Sequence, residues 1–165
     1  MKKTELKLSI LEYDSMEELN KDDRTLLEKA KEAVKDAYAP YSEYYVGAAA
    51  LLENGKVFIG NNQENVSYPS GLCAERVAVF AAAANFPNVP VKAVAITSKA
   101  ANFEVKEPVT PCGSCRQALA EYENLHHNKI RTILMGETGK IIIIESIREL
   151  LPLMFNAVEL KKTKK

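Results

Sequence analysis

Apolar residues recur along this chain with two different spacings, and the spacings predict the order of its helices and strands. Residues 17–38 carry apolar side chains three and four positions apart among charged ones, which predicts a helix that ends before Pro40. Apolar runs at 46–52 and 57–60 predict two strands, and the Asn-Gly pair between them predicts a tight hairpin. The first part of the chain is therefore expected to form a helix and then a β-hairpin.

The pattern then changes to helices that alternate with buried strands. An alanine-rich helix is predicted at 73–85 and another at 112–123, with Pro111 in the first turn of the second. Three strands and a short final helix complete the prediction, at 91–97, 130–135, 140–144 and 146–150. This order predicts an α/β fold, a three-layer α/β/α sandwich with a mixed five-stranded sheet, in which residues 1–165 form a single domain.

The composition argues against several classes of protein. Twenty-two basic residues balance 22 acidic ones, so no net charge attracts nucleic acid or an anionic membrane. The longest apolar runs are too short to span a bilayer, and the charged start leads into no apolar segment typical of a secretory signal. The lysine-rich end, 161–165, is interpreted as a solvated tail. Three cysteines cannot all form disulfides within one chain, which favours reduced thiols and a cytoplasmic protein.

The three cysteines are the strongest chemical signal in the sequence. Cys112 and Cys115 are three positions apart at a predicted helix start, so their sulfurs can project from one side and bind one metal ion. Cys73 opens the other predicted helix, and helix N-termini stabilise thiolates. Three thiolates leave one corner of a tetrahedral Zn²⁺ open for water, which is typical of a catalytic site. His126 and His127 are not expected to be ligands, since they lie roughly 16 Å further along the helix.

Glu75 is the candidate catalytic residue. It follows Cys73 by two positions, so it points in a different direction around the helix and can reach the open corner of the metal site. A carboxylate in that position can transfer protons to and from water. For Glu75, the alternative is a glutamate that only stabilises the helix start. For the cysteines, the alternatives are a redox Cys-x-x-Cys pair and a closed structural zinc site.

Four further polar residues extend the candidate site. Arg76 and Arg116 each follow a site residue directly, so each is either a hydrogen-bond donor to the thiolates or a surface charge. Asn62 and Glu64 would face the same side of an extended loop, about 6.6 Å apart. An amide and a carboxylate in that arrangement can bind one sugar hydroxyl, although a polar loop without such a role is the alternative.

Taken together, these motifs resemble those of the cytidine deaminases. The matching segments occur in the family's order, at 38–42, 46–49, 62–65, 73–76, 111–117 and 150–152, with Phe155 after them. The resemblance covers residues 38–155, the expected catalytic core, and an N-terminal helical segment precedes it. It implies hydrolytic deamination of cytidine and 2′-deoxycytidine to uridine and 2′-deoxyuridine, with release of ammonia, in cytoplasmic pyrimidine salvage.

The resemblance also implies a role for each residue of the metal site. Cys73, Cys112 and Cys115 are expected to bind one Zn²⁺ per chain. Glu75 is expected to transfer a proton from water to N3 of the pyrimidine and then to the departing ammonia. The backbone N–H of Ala74 is expected to bind the pyrimidine carbonyl.

Further residues match positions that bind the rest of the substrate in the family. Asn62 and Glu64 are expected to bind the ribose 3′-hydroxyl. Tyr44 stands where the family commonly has a stacking phenylalanine, and its additional hydroxyl needs a hydrogen-bond partner. Phe155 resembles an aromatic residue that reaches a neighbouring subunit's site in homotetrameric members, so a homotetramer is expected.

A deaminase of another amino-pyrimidine nucleoside, of the blasticidin S type, is the alternative function. Such relatives share the zinc motifs but lack the Asn-x-Glu element, so Asn62 and Glu64 favour the ribonucleoside. A polynucleotide substrate would favour a basic groove with stacking aromatic residues, and a non-catalytic zinc protein would not need Glu75. The expected partner is therefore a small nucleoside, with neither nucleic acid nor membrane involved.

Overall fold

The computed structural model describes residues 1–156, which form a six-stranded sheet with helices on both faces. Short 3₁₀ turns lie at Met16–Glu18, Tyr68–Ser70 and Ile147–Leu150. The strands and helices are β1 (Leu11–Tyr13), α1 (Lys21–Val34), β2 (Tyr44–Leu52), β3 (Val57–Asn61), α2 (Ala74–Asn85), β4 (Val91–Ala100), α3 (Gly113–His126), β5 (Arg131–Met135) and β6 (Ile141–Ile144).

The sheet is mixed, as the sequence predicts. Its strand order is β1-β6-β5-β4-β2-β3, and β4 and β5 pair in parallel while the other described pairs are antiparallel. Helix α3 makes the crossover between the two parallel strands. The predicted hairpin joins β2 to β3, and Gly55 adopts a φ of 80° in its turn, which a residue with a side chain rarely adopts.

The predicted number of strands is wrong, because the sheet has six strands rather than five. The additional strand, β1, lies in the N-terminal segment and pairs with β6, with Leu11 opposite Ile143. Three residues are too few to show a period of two in the sequence, and the pairing joins segments that are distant along the chain.

The three layers are confirmed, with α1 on one face of the sheet and α2 and α3 on the other. Side chains alternate between the two faces of a strand, so neighbouring residues of β2 and β4 belong to different cores. The core beneath α1 includes Leu27, Ala30, Ala49, Ala95 and Ile133. The core beneath α2 and α3 includes Ala48, Ala78, Ile96, Leu119 and Leu134.

Several element boundaries differ from the prediction for local reasons. Helix α1 begins later than predicted because Asn20 caps it, accepting a hydrogen bond from the Asp23 N–H at 2.9 Å. Cys112 is the N-cap of α3, so Pro111 lies before the helix and not in its first turn. Strands β2 and β4 both extend beyond their predicted ends, to Tyr44 and Ala100.

Within the described part of the chain, no helix has the length and apolar character needed to cross a membrane. The lysine-rich tail at 161–165 lies outside the described residues.

Candidate metal centre and active-site cleft

The starts of α2 and α3 bring the three cysteines together. Cys73 and Cys112 are the N-caps of the two helices, and Cys115 lies in the first turn of α3. All three sulfurs lie within 4.8 Å of one another, and Cys73 Sγ is 3.9 Å from Cys112 Sγ. Tetrahedral Zn²⁺ with Zn–S bonds of about 2.3 Å separates its sulfurs by about 3.8 Å. The donor set therefore fits one Zn²⁺.

The thiols of Cys73 and Cys115 differ in their affinity for a proton. The pKa of Cys73 is lowered to about 5, first because the Cys115 thiol donates a hydrogen bond to it, with a further contribution from Arg76. The pKa of Cys115 is raised because its proton is held by Cys73, because the side chain is buried, and because Glu75 is close. Metal binding must therefore displace the proton of Cys115.

Arg76 lies one turn into α2 and faces the sulfurs. Its guanidinium donates to Cys73 Sγ at 3.7 Å, and its buried Nε has no hydrogen-bond partner among residues 1–156. A cation with a spare buried donor suits an anionic cluster of metal-bound thiolates. Arg116 does not point at the sulfurs; it donates to the carbonyl oxygens of Pro111 at 2.8 Å and Leu150 at 2.9 Å. Arg116 thus anchors the segment before Cys112.

Glu75 lies in the first turn of α2, beside the cluster. Its side chain is only 4% exposed, yet it lines the cleft that opens over the sulfurs. Burial raises the pKa of this carboxyl above its usual value, and the negative charge on Cys73 adds to the shift. A buried carboxyl with increased proton affinity, next to a metal site, is suited to accept and release protons.

The position of α2 depends on Gly60 in β3. A Cβ atom at this position would lie 2.5 Å from the Ala74 carbonyl oxygen and 2.5 Å from the Ala78 nitrogen. The first turns of α2 therefore pack directly against the backbone of β3, and this contact fixes the distance between Glu75 and the sheet.

A cleft of about 710 Å³ opens over the metal site. It is bounded by β2, the loop after β3 and the starts of the two cysteine-bearing helices. Its lining brings together the following candidate residues: Tyr44, Asn62, Glu64, Cys73, Glu75, Arg76 and Cys112. Cys115 and Ala74 are fully buried behind it. Phe155 is not part of this lining and is 72% exposed.

The side chain of Asn62 bridges the backbone at the start of β2. Its Oδ1 accepts from the Val46 N–H at 2.8 Å, and its Nδ2 donates to the Tyr44 carbonyl at 2.9 Å. An amide group has a second N–H and a second lone pair, so Asn62 keeps one donor and one acceptor for a ligand.

Glu64 is held in its ionised form at the rim of the cleft. Its carboxylate accepts hydrogen bonds from the hydroxyl and N–H of Ser42 and from the N–H of Tyr41. These bonds lower the pKa of Glu64, and the Ser42 hydroxyl has the largest effect. A carboxylate accepts about four hydrogen bonds in all, so one position remains for a substrate hydroxyl. Sequence reasoning missed Ser42, although it belongs to a segment that resembles the family.

The Tyr44 hydroxyl finds its partner in Ser98, whose Oγ lies 2.8 Å away. The Tyr44 ring also lies beside Phe103, with ring centroids 6.3 Å apart. Ser98 was missed as well, since the sequence has no local signal that connects two residues 54 positions apart.

Phe155 presents its ring outward from the C-terminal segment. Its backbone N–H and carbonyl both bond to the amide of Gln117 on α3, at 3.1 and 2.9 Å. The backbone beneath the ring is therefore fixed while the ring itself is exposed.

Comparisons with known proteins agree with this geometry. The sequence profile of the cytidine and deoxycytidylate deaminase zinc-binding region matches residues 20–128. The cytidine deaminase of Halalkalibacterium halodurans is 37% identical over 139 residues, covering 84% of this chain and 98% of that protein. The cytidine deaminase of Sporosarcina psychrophila is 36% identical over 135 residues, covering 82% and 92%. A crystal structure of cytidine deaminase from Burkholderia pseudomallei superposes with a TM-score of 0.68 at 38% identity, covering 79% and 97%.

Proposed function

The chain belongs to the zinc-binding cytidine and deoxycytidylate deaminases, and we propose that it hydrolyses cytidine and 2′-deoxycytidine to the corresponding uridines and ammonia, in pyrimidine salvage. The observation that carries this proposal is the cluster of three cysteine sulfurs with the carboxyl group of Glu75 buried beside it. When bound by these sulfurs, Zn²⁺ supplies a Lewis acid that lowers the pKa of a coordinated water.

Glu75 is proposed as the proton carrier of the reaction. Its carboxylate takes a proton from the attacking water and delivers it to N3 of the pyrimidine, while the oxygen adds to C4. It then takes the proton of the hydroxyl that has added to C4 and gives it to the 4-amino group. The C4=O bond of the uridine forms as the C4–N bond breaks and ammonia leaves. The raised pKa of Glu75 supports this role, because the carboxyl must hold a proton between the two transfers.

Two polar groups in the cleft are proposed to bind the ribose 3′-hydroxyl. Asn62 has one free N–H to donate to the hydroxyl oxygen, and the ionised Glu64 has one position to accept the hydroxyl proton. Ala74 is proposed to bind the pyrimidine carbonyl through its backbone N–H. It is the first residue of α2, where N–H groups have no partner within the helix.

Tyr44 and Arg76 are proposed to support the chemistry without reacting. The Tyr44 ring lines the cleft and would pack against the pyrimidine. Arg76 is proposed to withdraw negative charge from the Cys73 sulfur, which counteracts the excess charge that three thiolates place around a divalent metal.

A homotetramer is proposed for the assembly, with Phe155 reaching the cleft of a neighbouring subunit. Two observations support it. Phe155 is exposed on a fixed backbone, outside its own chain's cleft. Phe80 on α2 and Tyr122 on α3 form an aromatic pair, with centroids 6.3 Å apart, and Phe80 is 40% exposed. On a sizing column, the protein should elute with four times the chain mass of 18.3 kDa. Elution as a dimer, with twice the chain mass, would contradict the tetramer.

We also propose that residues 1–165 form one domain with its catalytic core at 38–155, since both apolar cores of the described part share one sheet. The cytoplasm is the proposed location, because reducing conditions keep three thiols available to a metal.

The direct test follows the ultraviolet absorbance of cytidine, 2′-deoxycytidine and blasticidin S with zinc-loaded protein. We expect turnover of the first two substrates. Turnover of blasticidin S alone would support the alternative function, which the relatives do not favour. No turnover of any pyrimidine nucleoside would overturn the proposed activity.

A further inference from the structure

We propose that Ser98 is a positioning residue that fixes the ring of Tyr44 as a wall of the substrate cleft. This inference rests on the proposed function, since it concerns how the nucleoside is bound. It begins from the register of two strands. Val46 lies directly opposite Ser98, and Tyr44 lies opposite Ala100. Tyr44 and Ser98 are therefore diagonal neighbours on one face of the sheet, within reach of an aromatic side chain.

The hydrogen bond between the two hydroxyls satisfies both of them. Ser98 is 1% exposed, and a buried hydroxyl without a partner is costly. The Tyr44 hydroxyl lies 2.8 Å from the Ser98 Oγ. The phenol end of Tyr44 is thus attached to a strand buried in the centre of the sheet.

The backbone end of Tyr44 is attached separately. Its N–H donates to the Ser42 Oγ at 3.1 Å, and its carbonyl accepts from the Asn62 Nδ2 at 2.9 Å. Ser42 also donates to Glu64. The residues that hold the Tyr44 backbone therefore either belong to the proposed sugar-binding pair or bond to it.

These attachments give Ser98 a specific task. Because its backbone and its hydroxyl are both hydrogen-bonded, the Tyr44 ring cannot rotate into the cleft. The pyrimidine therefore binds against a ring that is already in position. Without Ser98, the phenol would lose its internal partner and turn towards the water of the cleft, into the space of the substrate. Substrate binding would weaken, while proton transfer at Glu75, a separate side chain, would proceed at its usual rate.

The test compares four proteins in steady-state cytidine deamination: wild type, Ser98→Ala, Tyr44→Phe and the double variant. We expect Ser98→Ala to raise KM roughly three- to tenfold, with kcat changed less than about twofold. Tyr44→Phe removes the phenol hydroxyl that would otherwise turn towards the cleft when Ser98 is replaced, so the double variant should recover a KM close to that of Tyr44→Phe alone. A merely structural role would not produce this rescue.

Thr97→Val provides the matched control. Thr97 carries the neighbouring buried hydroxyl of β4, and this hydroxyl donates to the Gly136 carbonyl at 2.6 Å and not to Tyr44. The control should lower the melting temperature and leave KM unchanged. A KM for Ser98→Ala equal to that of wild type, or additive effects in the double variant, would overturn the positioning role. Absence of turnover in the wild type would instead refute the proposed function.

Discussion

Arg76 donates a hydrogen bond to the sulfur of Cys73 across 3.7 Å, from one turn further along the same helix. Three thiolates around a divalent metal leave a net negative charge, which opposes ionisation of a bound water. We propose that the guanidinium moderates this charge at the Cys73 sulfur, so that the metal site would extend beyond its three ligands.

Replacing Arg76 with glutamine should lower cytidine turnover about 10- to 100-fold, or weaken zinc binding by a similar factor. Kinetics combined with metal analysis would separate the two effects. Arg24→Gln is the control, since the Arg24 guanidinium is also hydrogen-bonded within the chain, to the Met16 and Glu17 carbonyls, but lies on α1 and does not line the cleft. Equal kinetics for Arg76→Gln and wild type would contradict the proposed charge withdrawal.

Replacing Glu75 with glutamine should retain zinc but lower kcat about 10²- to 10⁴-fold, because an amide cannot carry the proton. Glu123→Gln is the matched control: Glu123 is also buried, but it accepts hydrogen bonds from the Ser146 hydroxyl and the Arg148 N–H and does not line the cleft. Near-normal kcat in the Glu75 variant would show that another group moves the proton.

The sugar contact can be tested by removing either of its partners. Glu64→Ala should raise the KM for cytidine. In the wild type, the KM for 3′-deoxycytidine should be higher than the KM for cytidine. The two losses should not add, because each removes the same hydrogen bond. Glu32→Ala is the control, since Glu32 is an exposed glutamate whose pKa is likewise lowered by a neighbour, in this case Lys29. Fully additive losses would show that Glu64 does not contact the 3′-hydroxyl.

Removal of zinc by a chelator should abolish turnover and lower the melting temperature by several degrees. The metal would bind the starts of α2 and α3 together, and a ligand of the folded state stabilises that state. Adding Zn²⁺ back should restore both properties. Full activity in protein shown by metal analysis to be free of zinc would refute the metal site.

Glu123 should make the stability of the fold depend on pH. Burial raises the pKa of this carboxyl above its usual value of about 4.5, so folding favours the protonated form. Its stabilising contribution is present below pH 4.5 and is lost as the pH rises through the raised value. Relative to Glu123→Gln, the wild type should therefore lose unfolding free energy as the pH rises above about 4.5, as measured in urea. A difference that does not change with pH would contradict this assignment.

Much of this architecture could be predicted because its signals are local. The Asn-Gly hairpin, the buried strands and the two cysteine-bearing helices each depend on residues within a few positions of one another. The metal site was equally accessible, since Cys112 and Cys115 share one helix start and Cys73 opens the next helix upstream.

The features that were missed depend on distant parts of the chain. Strand β1 exists because Leu11 meets Ile143, and Ser98 reaches Tyr44 only through the register of β2 and β4. Arg116 could not be assigned because its partners, the Pro111 and Leu150 carbonyls, come together only in the folded chain. No local pattern of polar and apolar residues contains this information.

The close packing of α2 against Gly60 limits which substitutions this protein can accept. Even a single methyl group there would displace the opening turns of α2 outward, and the carboxyl group of Glu75 would move with them. In a mutational library selected for deamination, we expect position 60 to accept no substitute, although its residue never meets the nucleoside.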